Sequence, residues 1–170
     1  MLRYSSRQLP DKLEAGGGQV DTVRELLNSK GGEVWTIQSG ETVLDAIRMM
    51  AEKDVGALVV IEGGEPAGIF TERHYTREVF LKGRQSPTTS IREVMSTRII
   101  CASPEQTIEE CMAVMSNQHI RHLPILDVGK LVGIVSIGDL VKSRIADQDF
   151  VIEELTDYIQ GPVPRCETEH

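Results

Sequence analysis

The stretch Gly133-Ile134-Val135-Ser136-Ile137-Gly138-Asp139 reads as a strand that stops at a hydroxyl and turns straight into a helix. An apolar, β-branched run ends at Ser136, and Leu140-Val141 continue with helical rather than alternating spacing. A helix start gathers unpaired backbone N–H groups and partial positive charge, which suits a phosphate. Asp139, one turn in, offers two acceptor oxygens at a separation that suits a ribose diol. The same Ser136-x-x-Asp139 pattern is also a helix capping box, which needs no ligand. Both readings stand on this segment alone.

The phrase occurs twice. Gly68-Ile69-Phe70-Thr71-Glu72-Arg73-His74 precedes it by 65 residues, and that offset holds without a gap over a long stretch. Thr42-Val43 answers Thr107-Ile108, Met50 answers Met115, Val55 answers Ile120, and Leu58 answers Leu123. Further upstream, Thr22 to Leu27 echoes Ser90 to Met95 at an offset of 68, with the extra residues absorbed near Gly31-Gly32-Glu33. The chain is a tandem repeat.

Composition bounds what such a repeat does. With 170 residues and 40% hydrophobic content the chain can bury one core or two packed halves, and at 4% aromatics that core must be aliphatic. A net charge of −8 argues against a nucleic-acid or anionic-membrane partner, so any phosphate site must be a local cluster of donors. No apolar run approaches the roughly 20 residues of a membrane helix. Cys101, Cys111 and Cys166 form no CxxC pair and leave one over, which fits a reducing cytoplasm.

The spacing predicts a flexible arm over 1–20, a first repeat over 21–83, a linker over 84–89, a second repeat over 90–147, and a C-terminal helix and tail over 148–170. In each repeat the order is helix, strand, helix, strand, strand, helix. Helices are expected from Thr22, from Thr42 with Val43, Ala46, Ile47 and Met50 inward, after Thr71 to about Leu81, from Ser90, and from Thr107 with Ile108, Cys111, Met112 and Met115 inward. Strands are expected at Val34 to Ile37, Ala57 to Ile61, Ala67 to Phe70, Ile99 to Ala102 and Leu123 to Leu126, with hairpin turns at Gly63-Gly64 and Val128-Gly129. The fold class is α/β of the α+β kind.

With that duplicated order and both Gly-Ile-hydrophobic-Thr/Ser ends, residues Thr22 to Asp147 resemble a tandem pair of cystathionine β-synthase (CBS) domains, the Bateman module. Val55-Gly56-Ala57-Leu58, Ile120-Arg121-His122-Leu123, Thr71-Glu72-Arg73 and Ser136-Ile137-Gly138-Asp139 look like the stand-alone bacterial members and a plant organellar relative. The resemblance implies two repeats about a pseudo-twofold axis with two clefts between them, and AMP, ADP, ATP or NAD(H) as a regulatory ligand. It implies that Asp139 holds the ribose hydroxyls, Ser136 the phosphate and Ile134 the sugar or base face. Arg121 and His122 fall at phosphate-contact positions, and Val55, Gly56 and Ala57 at the adenine wall.

One position departs from that pattern. Members with two ribose carboxylates carry Asp where this chain has His74, and imidazole cannot chelate a diol as a carboxylate does. The first cleft is then either phosphate-facing, with Thr71, Arg73, His74 and Arg77 around it, or only a place where a surface histidine sits on a helix.

His119, His122, Cys101 and Cys111 do not share one helical face, and no metal site is expected. No nucleophile has a base and oxyanion donors nearby, and Gly16-Gly17-Gly18 lacks the Lys of a phosphate-binding loop, so no catalytic residue is expected. Surplus apolar surface on the helices from Thr42 and Thr107 points to a homodimer. The leading expectation is a non-catalytic adenine-nucleotide sensor acting on a protein effector. The alternatives are a structural dimerisation module with vestigial clefts, an S-adenosylmethionine sensor, and an enzyme using His74 and His122.

Overall fold

The computed structural model describes residues 22–146. The expected arm over 1–20, the C-terminal helix and tail over 148–170, and Cys166 lie outside the described residues. The first repeat comprises α1 (Val23–Lys30), β1 (Thr36–Gln38), α2 (Val43–Lys53), β2 (Ala57–Glu62), β3 (Glu65–Thr71) and α3 (Glu72–His74), which widens into a π-helix over Tyr75–Phe80. The second comprises a 3₁₀ turn (Ile91–Glu93), α4 (Ile108–Gln118), β4 (His122–Asp127), β5 (Lys130–Ser136) and α5 over 137–146.

β1 runs parallel to β2 and β2 antiparallel to β3, while β4 and β5 form the matching hairpin. Both hairpins break register at equivalent places, Val60/Ile61 and Ile125/Leu126. The first hairpin turns on Gly63 and Gly64, at φ 60° and 91°, a geometry in which glycine carries no Cβ penalty. β2 is buried on both faces, as its unalternating apolar run requires. Leu58 and Val60 enter the first repeat's core, whereas Val59 and Ile61 join Val34 and Leu131 in a cluster between the repeats.

The leading segments of the two repeats are exchanged. Val23, Leu26 and Leu27 of α1 pack in the core of the second repeat with Ile108, Cys111, Met115, Leu123 and Leu140. Ile91 and Val94 pack in the core of the first repeat with Val43, Met50, Leu58 and Phe70. The first N–H groups of each segment have no partner within their own turn, and the opposite repeat supplies one. Val23 and Arg24 donate to the carbonyls of Gln106 and Pro104 at 3.0 and 2.9 Å; Ile91 and Arg92 donate to those of Glu41 and Ser39, each at 2.9 Å. Thr22 also closes a capping box with Glu25, whereas the Ser90 N–H donates to Glu93 Oε1 at 3.0 Å and Ser90 Oγ donates to the Ser39 carbonyl at 2.8 Å.

Three expected elements differ. The strand over Ile99 to Ala102 reduces to a single bridge between Ala102 and Ile125. Its counterpart β1 is extended by the Ser39 N–H donating to Ile61 at 3.0 Å, and the equivalent residue, Pro104, has no N–H to give. The helix from Ser90 is only one 3₁₀ turn, because the chain straightens after Val94 for Ser96 and Ile69 to exchange two hydrogen bonds of 3.0 Å. The helix after Thr71 becomes a π-helix, in which the Leu81 N–H reaches back to Thr76 at 3.0 Å.

The reason given for a homodimer also shifts. Ile47, Met49 and Met112, the surplus apolar surface of α2 and α4, pack against the cores, and among the described residues the exposed large apolar side chains on helices are instead Phe80, Val141 and Ile145, with Leu81 at the end of the π-helix.

The glycine that opens each duplicated phrase marks where the exchanged segment presses down. A Cβ on Gly133 would lie 2.6 Å from Leu27 Cδ2, and one on Gly68 would lie 2.6 Å from Met95 Sδ and 2.8 Å from the Ser96 carbonyl oxygen. Gly133→Ala is expected to destabilise by about 1–3 kcal/mol, the usual range for overpacking, and Gly68→Ala by more, because a backbone carbonyl cannot rotate aside as a leucine methyl can. Urea unfolding of the two variants checks this; equal or negligible losses would contradict the close approach.

Candidate functional site

β5 delivers Ile134 and Ser136 to one cleft, and the first turn of α5 adds Asp139. Across it stand Val55, Gly56 and Ala57, where the chain leaves α2 and enters β2, with His122 at the floor. The cleft has a volume of about 380 Å³, within the range of small-molecule sites. Seven of the residues expected at the nucleotide site thus meet in one place. Arg121 does not join them; it lines a second cleft of about 210 Å³ together with Thr71, Arg73, His74 and the shared Gly56 and His122. Arg77 lines neither, although its charge reaches His74.

Sequence reasoning missed Lys30, Glu33, Trp35 and Asp54 in the first cleft and Ser96, Arg98, Ile100 and His119 in the second. The 65-residue offset could have found several. Trp35 answers Ile100, Glu33 answers Arg98, and Asp54 answers His119, both of the last pair in left-handed conformation at φ 53° and 54°.

Ser136 and Asp139 do form a capping box. The Asp139 N–H donates to Ser136 Oγ at 3.1 Å, and the Ser136 N–H donates to Asp139 Oδ2 at 2.7 Å. A second donor, and a cation, reaches the same oxygen: Lys30 Nζ lies 2.7 Å from Asp139 Oδ2 and 2.8 Å from the Ile134 carbonyl. Burial pushes the Asp139 carboxyl up, but the Lys30 ammonium and the Ser136 N–H outweigh it and hold the carboxyl below its usual range. The group is therefore an anion with one oxygen engaged twice.

His74 fills the same station in the other repeat and does the same structural work. The Thr71 N–H donates to His74 Nδ1 at 3.1 Å, and the His74 N–H donates to Thr71 Oγ1 at 3.4 Å. A backbone N–H can only donate, so Nδ1 is the unprotonated nitrogen. The ring stacks on Phe70, with centroids 6.3 Å apart. His74 is thus a half-buried cap rather than a surface histidine, and protonating Nδ1 would break the cap. His122 is also half-buried, its ring 3.3 Å from where a Cβ on Gly56 would sit.

Burial lowers the pKa of both imidazoles, and for His122 the nearby Glu72 and Asp139 only partly offset it. As pH falls below the ordinary imidazole value of 6.5, the unfolded chain takes up protons that the folded chain refuses, so stability is lost between that value and the lower folded one. The melting temperature should drop over this window, and less steeply in His74→Asn, whose amide oxygen can still accept from Thr71. A slope unchanged by both His74→Asn and His122→Asn would refute it.

Among the described residues no group of three or more His, Cys, Asp or Glu side chains is placed to hold a metal ion. Burial raises the Cys101 thiol and pushes the Cys111 thiol up to about 11, so neither is a ready thiolate.

The CBS domain family model matches residues 23–80 and 91–146. The chain is 34% identical over 161 residues to the CBS domain-containing protein CBSX3, mitochondrial, of Arabidopsis thaliana, covering 89% of this chain and 78% of that protein. It is 34% identical over 116 residues to the CBS domain-containing protein YhcV of Bacillus subtilis, covering 68% of this chain and 82% of that one. Its fold is similar to that of a CBS-domain protein of Burkholderia ambifaria, with a TM-score of 0.72 and 48% identity over 75% of this chain and 96% of the other. The duplicated unit matches the family model once in each repeat, and the chain belongs to the CBS-domain family, as a tandem pair.

Proposed function

We propose that the chain is a non-catalytic regulatory module that binds an adenine nucleotide, AMP, ADP, ATP or NAD(H), in the Asp139 cleft and signals energy or redox state to a protein partner. The observation that carries this reading is the convergence on one cleft of an ionised Asp139 and Ser136 from one repeat with Val55 to Ala57 and Trp35 from the other. The ribose hydroxyls donate to Asp139, the base lies against Ile134 and the Val55–Ala57 wall, and Lys30, released from Asp139, turns to the phosphate. The free thiols of Cys101 and Cys111 support a reducing compartment such as the cytoplasm.

One observation favours a second ligand for the same cleft. Asp54 and Asp139 line the cleft with a single ammonium, Lys30, and an acidic lining suits the sulfonium of S-adenosylmethionine better than a phosphate.

Trp35 is the chain's one tryptophan, so its fluorescence reports on this cleft. Titration with AMP, ADP, ATP, NAD, NADH and S-adenosylmethionine is expected to change it for at least one. Asp139→Ala should weaken that ligand by about 1.5–3 kcal/mol, the range for a hydrogen bond to a charged group. Unchanged affinity in Asp139→Ala would leave Ser136 and Asp139 as a cap only, the vestigial-cleft reading.

The module works as a homodimer. Phe80 and Ile145 stand 65 residues apart at the same station of the repeat and are 68% and 53% exposed, which supports an apolar face with a twofold partner. Light scattering should give twice the chain mass of 18.8 kDa, and Phe80→Asp with Ile145→Asp should halve it. A monomer mass for the unmodified chain at micromolar concentration would end this reading.

A further inference from the structure

The pseudo-symmetry that relates the two clefts inverts their charge. The Asp139 cleft carries three carboxylates against one ammonium, whereas the His74 cleft carries Arg73, Arg98 and Arg121 against one carboxylate, Glu72. At the stations of those three arginines, each 65 residues away, the other repeat has Gly138, Glu33 and Gly56, none of them basic. The arginines come from three separate elements, the start of α3, the segment before α4 and the approach to β4, and converge on one concavity.

Other described arginines of this acidic chain hold carboxylates, and these three do not. Arg98 and Arg121 make no ion pair among the described residues, and the recorded bond of Arg73 is to the neutral carbonyl oxygen of His119 at 3.0 Å. Arg24, Arg84 and Arg92, by contrast, each hold a carboxylate. A chain with net charge −8 thus places three guanidiniums that hold no carboxylate around one cleft, where concave walls focus the field on an anion.

We propose that the His74 cleft is a polyphosphate site, held by Arg73, Arg98 and Arg121, that recognises the phosphate chain and not the ribose. Planar guanidiniums bind phosphate oxygens in pairs, and three of them match several linked phosphates better than one monoester. The volume of about 210 Å³ suits a compact anion and falls below the usual range for a whole nucleotide. His74, whose Nδ1 is committed to the Thr71 cap, offers no carboxylate to a diol. This site does not depend on what the Asp139 cleft binds.

The probe is inorganic tripolyphosphate, which has neither ribose nor base, titrated calorimetrically at low ionic strength. It is expected to bind unmodified chain and Asp139→Ala alike, and to weaken about tenfold in Arg98→Gln and again in Arg121→Gln, with melting temperatures confirming that the variants fold. Displacement by ATP in Asp139→Ala assigns the site to the phosphate arm of a nucleotide, and failure to displace assigns it to free polyphosphate. No binding of tripolyphosphate, or binding indifferent to the Arg98→Gln, Arg121→Gln pair, overturns the proposal. Loss of nucleotide binding in Asp139→Ala with tripolyphosphate retained separates this site from the one proposed above.

Discussion

Everything in this molecule depends on the contact of α1 with the far repeat. Leu27 lies on Gly133, and Met95 lies on Gly68 in the mirror arrangement. Neither repeat closes its own core: one lacks a lid without Val23, Leu26 and Leu27, the other without Ile91 and Val94. Burying an aliphatic side chain of this size contributes about 1.5–3 kcal/mol, so each exchanged segment carries as much as a small domain's whole margin of stability. The repeats are therefore halves of one folding unit. The clefts exist because this exchange fixes the seam between them, with Gly56 and His122 bordering both.

Duplication preserved backbone chemistry and let side-chain chemistry diverge. Thr71 with His74 and Ser136 with Asp139 satisfy the same two N–H groups in the same way. An imidazole nitrogen and a carboxylate oxygen are interchangeable as acceptors for a helix cap. They are not interchangeable toward a ligand: the carboxylate is an anion that Lys30 compensates, and the imidazole is neutral and kept so by burial. Capping is thus a use of this geometry that both residues serve, and the box explains why the station is occupied without explaining which residue fills it.

Periodicity and the 65-residue offset made most of the fold legible, because helix caps, buried strands and hairpin turns are local decisions written in consecutive residues. The exchange of leading segments was not legible, since Val23, Leu26 and Leu27 show only that a face is buried and not against what. The shortened strand before Pro104 could have been foreseen from the missing N–H. The site was readable where a motif carried it, at Ile134, Ser136, Asp139 and Val55 to Ala57. Lys30 was invisible because it comes from a segment with no motif and reaches its cleft only through tertiary placement, whereas Trp35 and Arg98 were within reach of the 65-residue offset alone. Arg121 changed clefts for a simpler reason. It stands 65 residues after Gly56, just before β4, and lines the His74 cleft beside His122, which borders both.

Lys30 joins the fold to the site. It is the last residue of α1, placed by the same packing of Leu27 that locks the repeats, and it ties that helix to β5 and α5 through the Ile134 carbonyl and Asp139. Any ligand that takes the engaged oxygen of Asp139 must first displace this ammonium. Its affinity is then the difference between two charge-assisted contacts rather than the worth of one, and what the ammonium does after release decides the sign of that difference. A ligand with a phosphate in reach gives Lys30 a new anion and recovers the loss; a neutral nucleoside leaves it unpaired. The same displacement unties α1 from the second repeat at its C-terminal end, so occupancy of the cleft acts directly on the contact that holds the two halves together.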